Sequence, residues 1–169
     1  SLSRSRELRI DFYEPHLFDS DIGFGSEAYY RRENFDNYDL KRLGGSIYGT
    51  RQVIDNHTKA TLKYRAEFDK TFNIANSIDS SVIAIEGQTD LITMISLNLT
   101  RDTRNNIAYP SRGTLYSMDF GAASEALGGD FNYAKLQLDG RWYVPLIEPQ
   151  FVLALRATFG YEEPYGGTN

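Results

Sequence analysis

Thr100-Arg-Asp-Thr-Arg-Asn-Asn-Ile-Ala-Tyr-Pro-Ser-Arg-Gly113 is the stretch on which the reading of the fold turns. Before it, residues 91–99 are apolar and β-prone; after it, residues 114–122 alternate apolar with polar. Two such runs around a polar segment rich in Asn, Asp, Pro and Gly predict a hairpin rather than a linker between domains. Asp102, Asn105 and Asn106 are placed to bond nearby backbone amides. Pro110 pre-sets φ and cannot continue a ladder, while Gly113 can take positive φ where the chain re-enters a strand. Arg101, Arg104 and Arg112 are long enough to pair with Asp102 or with acids on neighbouring strands. Taken alone, a solvated polar loop has the same composition.

Working outward, period-two alternation gives eight strand candidates: 3–12, 22–32, 43–53, 58–69, 91–99, 114–122, 131–143 and 151–161. Between them lie turn or loop candidates at 13–21, 34–39, Asp55-Asn56, 72–88, 100–113, 124–130 and 144–150. The last holds Pro145 and Pro149, and 72–88 contains a short apolar run at 82–85. Residues 58–69 are the most informative strand. Ala60, Leu62, Tyr64, Ala66 and Phe68 share one face; Lys59, Lys63, Arg65, Glu67 and Asp69 share the other. Alternation over about ten residues is what a tilted strand needs to cross a bilayer, whereas a soluble strand is commonly about five or six. The facing of Met94 and Ile95, inside a continuous apolar run, stays open.

Composition narrows the classes. The 169 residues suit one domain. A net charge of −5 without any Lys/Arg block argues against nucleic acid as a partner. With no cysteine there is neither a disulfide framework nor a thiol metal site. A mean hydropathy of −0.46 and the lack of a long apolar run exclude a spanning helix, but a spanning barrel alternates and averages out polar.

Three features favour a membrane barrel over a soluble one. Apolar faces end in aromatics (Phe12, Tyr13, Tyr30, Phe68, Tyr116, Trp142, Tyr161), side chains suited to bilayer interfaces. Opposite faces carry full charges of both signs: Lys63, Arg65, Glu67 and Asp69 on one strand, Lys135, Asp139 and Arg141 on another. Such charges are costly in a dry core and tolerated against a wet lumen. Leu62, Tyr64, Phe68, Leu136, Leu138, Trp142, Leu153 and Leu155 are the corresponding lipid-facing candidates.

The string Asp102-Thr-Arg-Asn-Asn106 followed by Tyr109-Pro-Ser-Arg-Gly-Thr114 resembles the signature hairpin in the barrel of BamA-type outer-membrane protein assembly factors, the bacterial surface antigen family. Glu14-Pro-His-Leu-Phe18 looks like that family's Asp-Pro-aromatic turn; Gly128-Gly-Asp-Phe131 and Trp142-Tyr-Val-Pro-Leu146 are similar to its loop-strand-turn sequence. The likeness covers most of the chain and is best from Asp90 onward. Asn105 stands where the family often has Asp, and the family's Val-Arg-Gly-Phe lumen motif is not found here.

The resemblance implies an all-β fold: an antiparallel up-and-down transmembrane β-barrel, with residues 1–169 as a partial outer-membrane barrel domain. It makes the hairpin rim periplasmic, with Asp102, Arg104, Pro110 and Gly113 fixing the hairpin. Both chain ends and the longest loop then fall outside the cell, so the chain is expected to be about half of a barrel of about 16 strands, without the POTRA domains. The implied function is an insertase that folds nascent outer-membrane β-barrel proteins through a lateral seam. Its implied partners are outer-membrane lipids, those nascent proteins and assembly-machinery lipoproteins, with no cofactor. A related translocation pore, of the two-partner secretion or translocation-and-assembly type, and a closed eight-stranded structural or adhesive barrel are the alternatives.

Catalytic readings fare poorly. His16 and His57 are isolated and lack carboxylates at metal or general-base spacing, and Gly23-Phe-Gly25 lies inside a strand candidate with no helix after it. No metal is expected.

Overall fold

A computed structural model describes residues 4–35, 39–72, 89–147 and 151–166. Eight strands follow one another: β1 (Arg4–Glu14), β2 (Ile22–Asn34), β3 (Asp39–Gln52), β4 (Thr58–Phe72), β5 (Thr89–Asp102), β6 (Gly113–Ala123), β7 (Tyr133–Ile147) and β8 (Phe151–Pro164). They form a single sheet in chain order, each antiparallel to the next. Among the described residues β1 pairs only with β2 and β8 only with β7, so the sheet does not close on itself and the closed eight-stranded alternative does not fit. No α-helix occurs among these residues; two 3-10 turns, Leu17–Asp19 and Glu125–Leu127, lie in connections.

Strand length follows from uninterrupted alternation. Strands of 11 to 15 residues are two to three times the usual length in soluble sheets. A 15-residue strand such as β4 is about 50 Å long and, tilted by about 40°, rises about 38 Å, more than a hydrocarbon core of about 30 Å.

A soluble domain stacks two layers so that each hides its apolar face. Here there is one layer, and burial is inverted. Leu8, Ile10, Leu43, Ile47, Leu62 and Leu155 are all more than half exposed on one face. Among the described residues the buried apolar side chains are only Tyr29, Met94 and Ala123, whereas Asp39, Ser46, Thr50, Thr58, Glu67 and Thr93 are buried polar ones. The charged face lies inside the curl. A cavity of about 780 Å³ is lined by residues from all eight strands, including Arg9, Glu27, Arg42, Lys63, Lys135 and Glu162.

Several boundaries differ from expectation. The turn expected at 144–150 begins later, because β7 runs through Pro145 to Ile147. A proline removes one ladder donor, and here it coincides with a register shift between Pro145 and Ile147 against β8, where pairing is already irregular. β3 starts at Asp39 rather than Leu43, since Asp39, Lys41 and Arg42, despite their polarity, extend the ladder to β2 and β4 together with Leu40. The expected loop at 72–88 has Phe72 as the end of β4; residues 73–88, with the apolar run 82–85, fall outside the described residues.

The open question at Met94 is answered by register. Met94 lies with Arg65 on the charged side and Ile95 with Tyr64 on the apolar side. Thr93 shares the apolar side yet is buried, because β6 pairs with β5 only as far as Met94 and the connection after β6 folds over the remainder. There the Thr93 hydroxyl donates to Ser124 O at 3.2 Å, Leu91 N–H to Asp130 Oδ2 at 2.6 Å, and Asp130 N–H to Leu91 O at 2.7 Å.

Glycines on the concave side make room for aromatic rings. A Cβ on Gly25 would lie 2.1 Å from Cζ of Tyr48, whose ring stacks on Tyr13 at 6.4 Å and 16° and carries Lys63 Nζ at 5.2 Å. Gly25→Val is expected to destabilise the protein by about 1–3 kcal/mol through overpacking. In a Tyr48→Ala background the same change should cost under about 1 kcal/mol, because the ring it strikes is gone. Urea unfolding of the lipid-reconstituted protein reads both; strictly additive costs would contradict the packing described.

Candidate functional site

Two features stand out above the plain sheet: the ionic concave wall and the 103–112 hairpin loop. The wall is built by register. Adjacent strands place Glu7, Arg31, Arg42 and Asp69 in one cross-strand row, and Arg9, Tyr29, Gly44 and Glu67 in the next. Glu7 pairs with Arg9 at 2.7 Å and Arg31 at 2.9 Å. Glu27 lies 3.7 Å from Arg9 and 3.8 Å from Lys63. Arg42 reaches Glu33 at 3.6 Å and Asp69 at 3.4 Å. The Tyr29 hydroxyl donates to buried Glu67, its ring lying over Gly44, where a Cβ would be 2.7 Å away. Opposite charges on neighbouring strands support the sheet, and each carboxylate named here has a cation or a hydroxyl beside it, although Asp69 Oδ1 is buried without a hydrogen-bond donor.

The second charged set lies apart. Asp139 accepts from Arg141 at 2.8 Å, from Arg156 at 2.6 Å and from the Thr158 hydroxyl at 2.9 Å, tying β7 to β8. Of the expected charged residues, Lys63, Arg65, Glu67 and Lys135 therefore share the cavity wall, while Asp139 and Arg141 form their own cluster. On the opposite face Leu62, Tyr64, Phe68, Leu138, Leu153 and Leu155 are exposed, with Leu136 and Trp142 half-buried. The Trp142 indole donates to the Tyr116 hydroxyl at 2.8 Å, the rings meeting edge-on at 5.7 Å and 78°.

The hairpin loop is held by its own side chains. Arg104 forks onto Asp102, with Nε 2.9 Å from Oδ1 and Nη2 2.7 Å from Oδ2, and its side chain is only 11% exposed. Arg104 N–H also donates to Asp102 Oδ1 at 3.0 Å. Asn105 Oδ1 accepts from the amides of Ser111 and Arg112 at 3.0 and 3.1 Å, so Asn at this position spans the loop. Asn106 Oδ1 accepts from Ala108 and Tyr109 at 2.8 and 3.0 Å. Gly113 has φ of +104°, and a Cβ there would sit 2.3 Å from Thr103 O. Pro110 follows Tyr109, which is 87% exposed at the loop tip. Arg101 pairs not with Asp102 but with Asp55 of the β3–β4 turn at 2.7 Å, and Asp102 N–H donates to His57 O at 2.9 Å. The two turns are thus one polar rim.

Sequence reasoning missed some of these partners. Tyr29 sits between Ala28 and Tyr30 and reads as one more apolar residue, although its parity with Glu27 and Arg31 assigns it to the charged face. The Thr103–Thr114 pair, with Oγ1 atoms 2.9 Å apart and the Thr114 amide donating to Thr103 Oγ1 at 3.0 Å, had no signal beyond two hydroxyls flanking a loop. Among the described residues no three His, Asp or Glu side chains come together as a metal site, and His57 is 4.0 Å from Asp55.

The sequence pattern of the Omp85 superfamily domain matches residues 1–169. The outer membrane protein assembly factor BamA of Nitratidesulfovibrio vulgaris is 26% identical over 151 residues, covering 88% of this chain and 18% of that protein. The crystal structure of BamA from Haemophilus ducreyi lacking POTRA domains 1–3 shares the fold, with a TM-score of 0.83 and 16% identity over 96% of this chain and 34% of that one. The chain therefore spans 18% of the curated relative's length and 34% of the solved structure's.

Gly113→Ala is expected to cost about 1–3 kcal/mol, combining positive-φ strain with the collision at Thr103. Gly128→Ala, at φ of +92° with open space around it, should cost less; unfolding midpoints that rank them the other way would refute the hairpin geometry. The Asp55 carboxyl is held below its ordinary range, first by the Thr58 hydroxyl and further by Arg101 and the His57 amide. The unfolded chain thus binds this proton more tightly. The rim's stabilisation is complete above the ordinary carboxylate value and is lost as pH falls through the lowered one. Asp55→Asn should flatten the pH dependence of stability below about pH 4, read by unfolding at stepped pH.

Proposed function

This chain belongs to the Omp85 superfamily, and from that premise we propose that it is part of the wall of an outer-membrane insertase that folds nascent β-barrel proteins into the bilayer. Its location is the bacterial outer membrane, and proteins of this type are not classical enzymes.

The observation that carries the reading is the inverted sheet: one layer, apolar side chains exposed on one face and paired ions on the other. Hydrocarbon is the medium that takes such a face without cost, and a water-filled lumen takes the other. In this reading Leu62, Tyr64, Phe68, Leu136, Leu138, Trp142, Leu153 and Leu155 face lipid. Lys63, Arg65, Glu67, Asp69, Lys135, Asp139 and Arg141 face the lumen, and Asp102, Arg104, Pro110 and Gly113 fix a periplasmic hairpin.

Insertion by such a protein needs no nucleotide. Unpaired strand edges template an incoming strand through main-chain hydrogen bonds, and a stiff wall beside the seam keeps that edge open. The ion pairs between β1 and β4 and between β7 and β8 supply that stiffness. Substrate strands, outer-membrane lipids and assembly lipoproteins are the partners the reading entails.

Two measurements test it. Tryptophan placed by Leu62→Trp should be quenched by brominated acyl chains, and by Lys63→Trp should be quenched by aqueous iodide instead; the reverse result would remove the basis of the assignment. Depleting the full-length protein from cells should lower the folded amounts of other outer-membrane barrels severalfold. Unchanged levels and folding would count decisively against an insertase.

A further inference from the structure

Beyond the apolar band, the outer face carries a row of cations. Register aligns Arg6 of β1 with Arg32 of β2, Arg32 with Lys41 of β3, and Lys41 with Lys70 of β4. One step toward the middle of the sheet, the same face reads Leu8, Tyr30, Leu43, Phe68 and Leu91. On β4 the apolar run from Ala60 to Phe68 covers about 27 Å of strand, so Lys70 falls where hydrocarbon gives way to headgroups.

Like charges directly opposite one another on neighbouring strands destabilise a sheet. On the concave wall Arg31 and Arg42 do face one another, but each has an acid beside it, Glu7 at 2.9 Å and Asp69 at 3.4 Å, and at the hairpin rim Arg101 has Asp55 at 2.7 Å. The outer row has little of that relief. Asp39, one step further out, takes Arg32 at 3.2 Å and Asn34 at 2.6 Å. Arg32 and Lys41 converge on the Phe72 ring, at 5.2 and 4.3 Å from its centroid. Arg6 and Lys70, both exposed, have no carboxylate within ion-pair distance among the described residues. Glu7, Glu33 and Asp69, their chain neighbours, belong to the opposite face. Four cations spread over about 14 Å at the edge of an apolar surface are more than a single phosphodiester would neutralise.

We propose that Arg6, Arg32, Lys41 and Lys70 form a docking surface for the diphosphorylated headgroup of a glycolipid in the surrounding leaflet, whose phosphates bridge the strands as its acyl chains cover the adjoining apolar row. The row lies at the rim opposite the 103–112 hairpin. Assigning that rim to the outer leaflet, where lipid A resides, rests on the periplasmic placement of the hairpin given above.

The test uses the full-length protein, delipidated in detergent and exposed to diphosphoryl lipid A, fully dephosphorylated lipid A or phosphatidylglycerol, with bound lipid counted by native mass spectrometry. Wild type should prefer diphosphoryl lipid A to both others by about tenfold or more. The double variant Arg6→Gln with Lys70→Gln should lose about ten- to thirtyfold of that affinity while keeping its unfolding midpoint. Equal binding of the dephosphorylated lipid or of phosphatidylglycerol, or an undiminished double variant, overturns the proposal. Orientation is read separately in intact cells by a membrane-impermeant maleimide on Glu125→Cys and Asn106→Cys. Labelling of the first alone supports the outer-leaflet assignment, and labelling of the second alone overturns that assignment without touching the lipid measurement.

Discussion

A single sheet has two faces and no second layer to hide either of them. That constraint governs everything else here. From β2 to β7 the backbone is satisfied within the ladder, so the side chains are what must be sorted between the two faces, and strict alternation does the sorting. Length follows from the same requirement, since a strand that stops short of the far headgroups would leave unpaired amides in hydrocarbon. The ionic wall follows too. Once the apolar side chains are committed outward, the inward positions are left to polar residues, and these are held by one another: Glu7 by two arginines, Asp139 by two arginines and a hydroxyl.

This explains what the sequence made legible. Period-two alternation in residues 58–69 assigned each of the chosen β4 residues to the face it occupies, because a one-residue slip would invert the whole strand. The hairpin was equally readable, since Asn105, Asn106 and Gly113 act within a few residues of themselves. What escaped was decided between strands. Nothing local says that Tyr29 finds Glu67 across β3, or that Arg101 chooses Asp55 of another turn over adjacent Asp102. Pro145 read as a chain reversal because proline lacks a donor; in the sheet that loss is absorbed at the register shift against β8.

Glycine and aromatic residues are coupled on the concave side in a way that propensity alone would not suggest. Gly in a strand interior forfeits side-chain packing. Here that space is filled from the neighbouring strand: Tyr48 over Gly25 and Tyr29 over Gly44, each with a polar tip that remains among charges. The arrangement lets the sheet curl tightly, because each ring occupies the space that a Cβ at the facing glycine would need. The weak, glycine-broken look of β3 is therefore part of how the sheet bends.

The two rims then differ for a physical reason. At the hairpin end, Arg104 is matched by Asp102 and Arg101 by Asp55, while Arg51, Lys59 and Arg112 are exposed without an ion pair among the described residues. At the other end of β1 to β4, among the described residues, the outward cations outnumber the acids within ion-pair distance, although acids and bases pair on the inward face of the same strands. A chain able to place Glu33 against Arg42 on one face had the means to place an acid against Lys70 on the other. Leaving that row basic makes sense if its counter-charges arrive with the membrane, so that the apolar band and the cationic row together read as the imprint of one lipid leaflet rather than as two separate surface features.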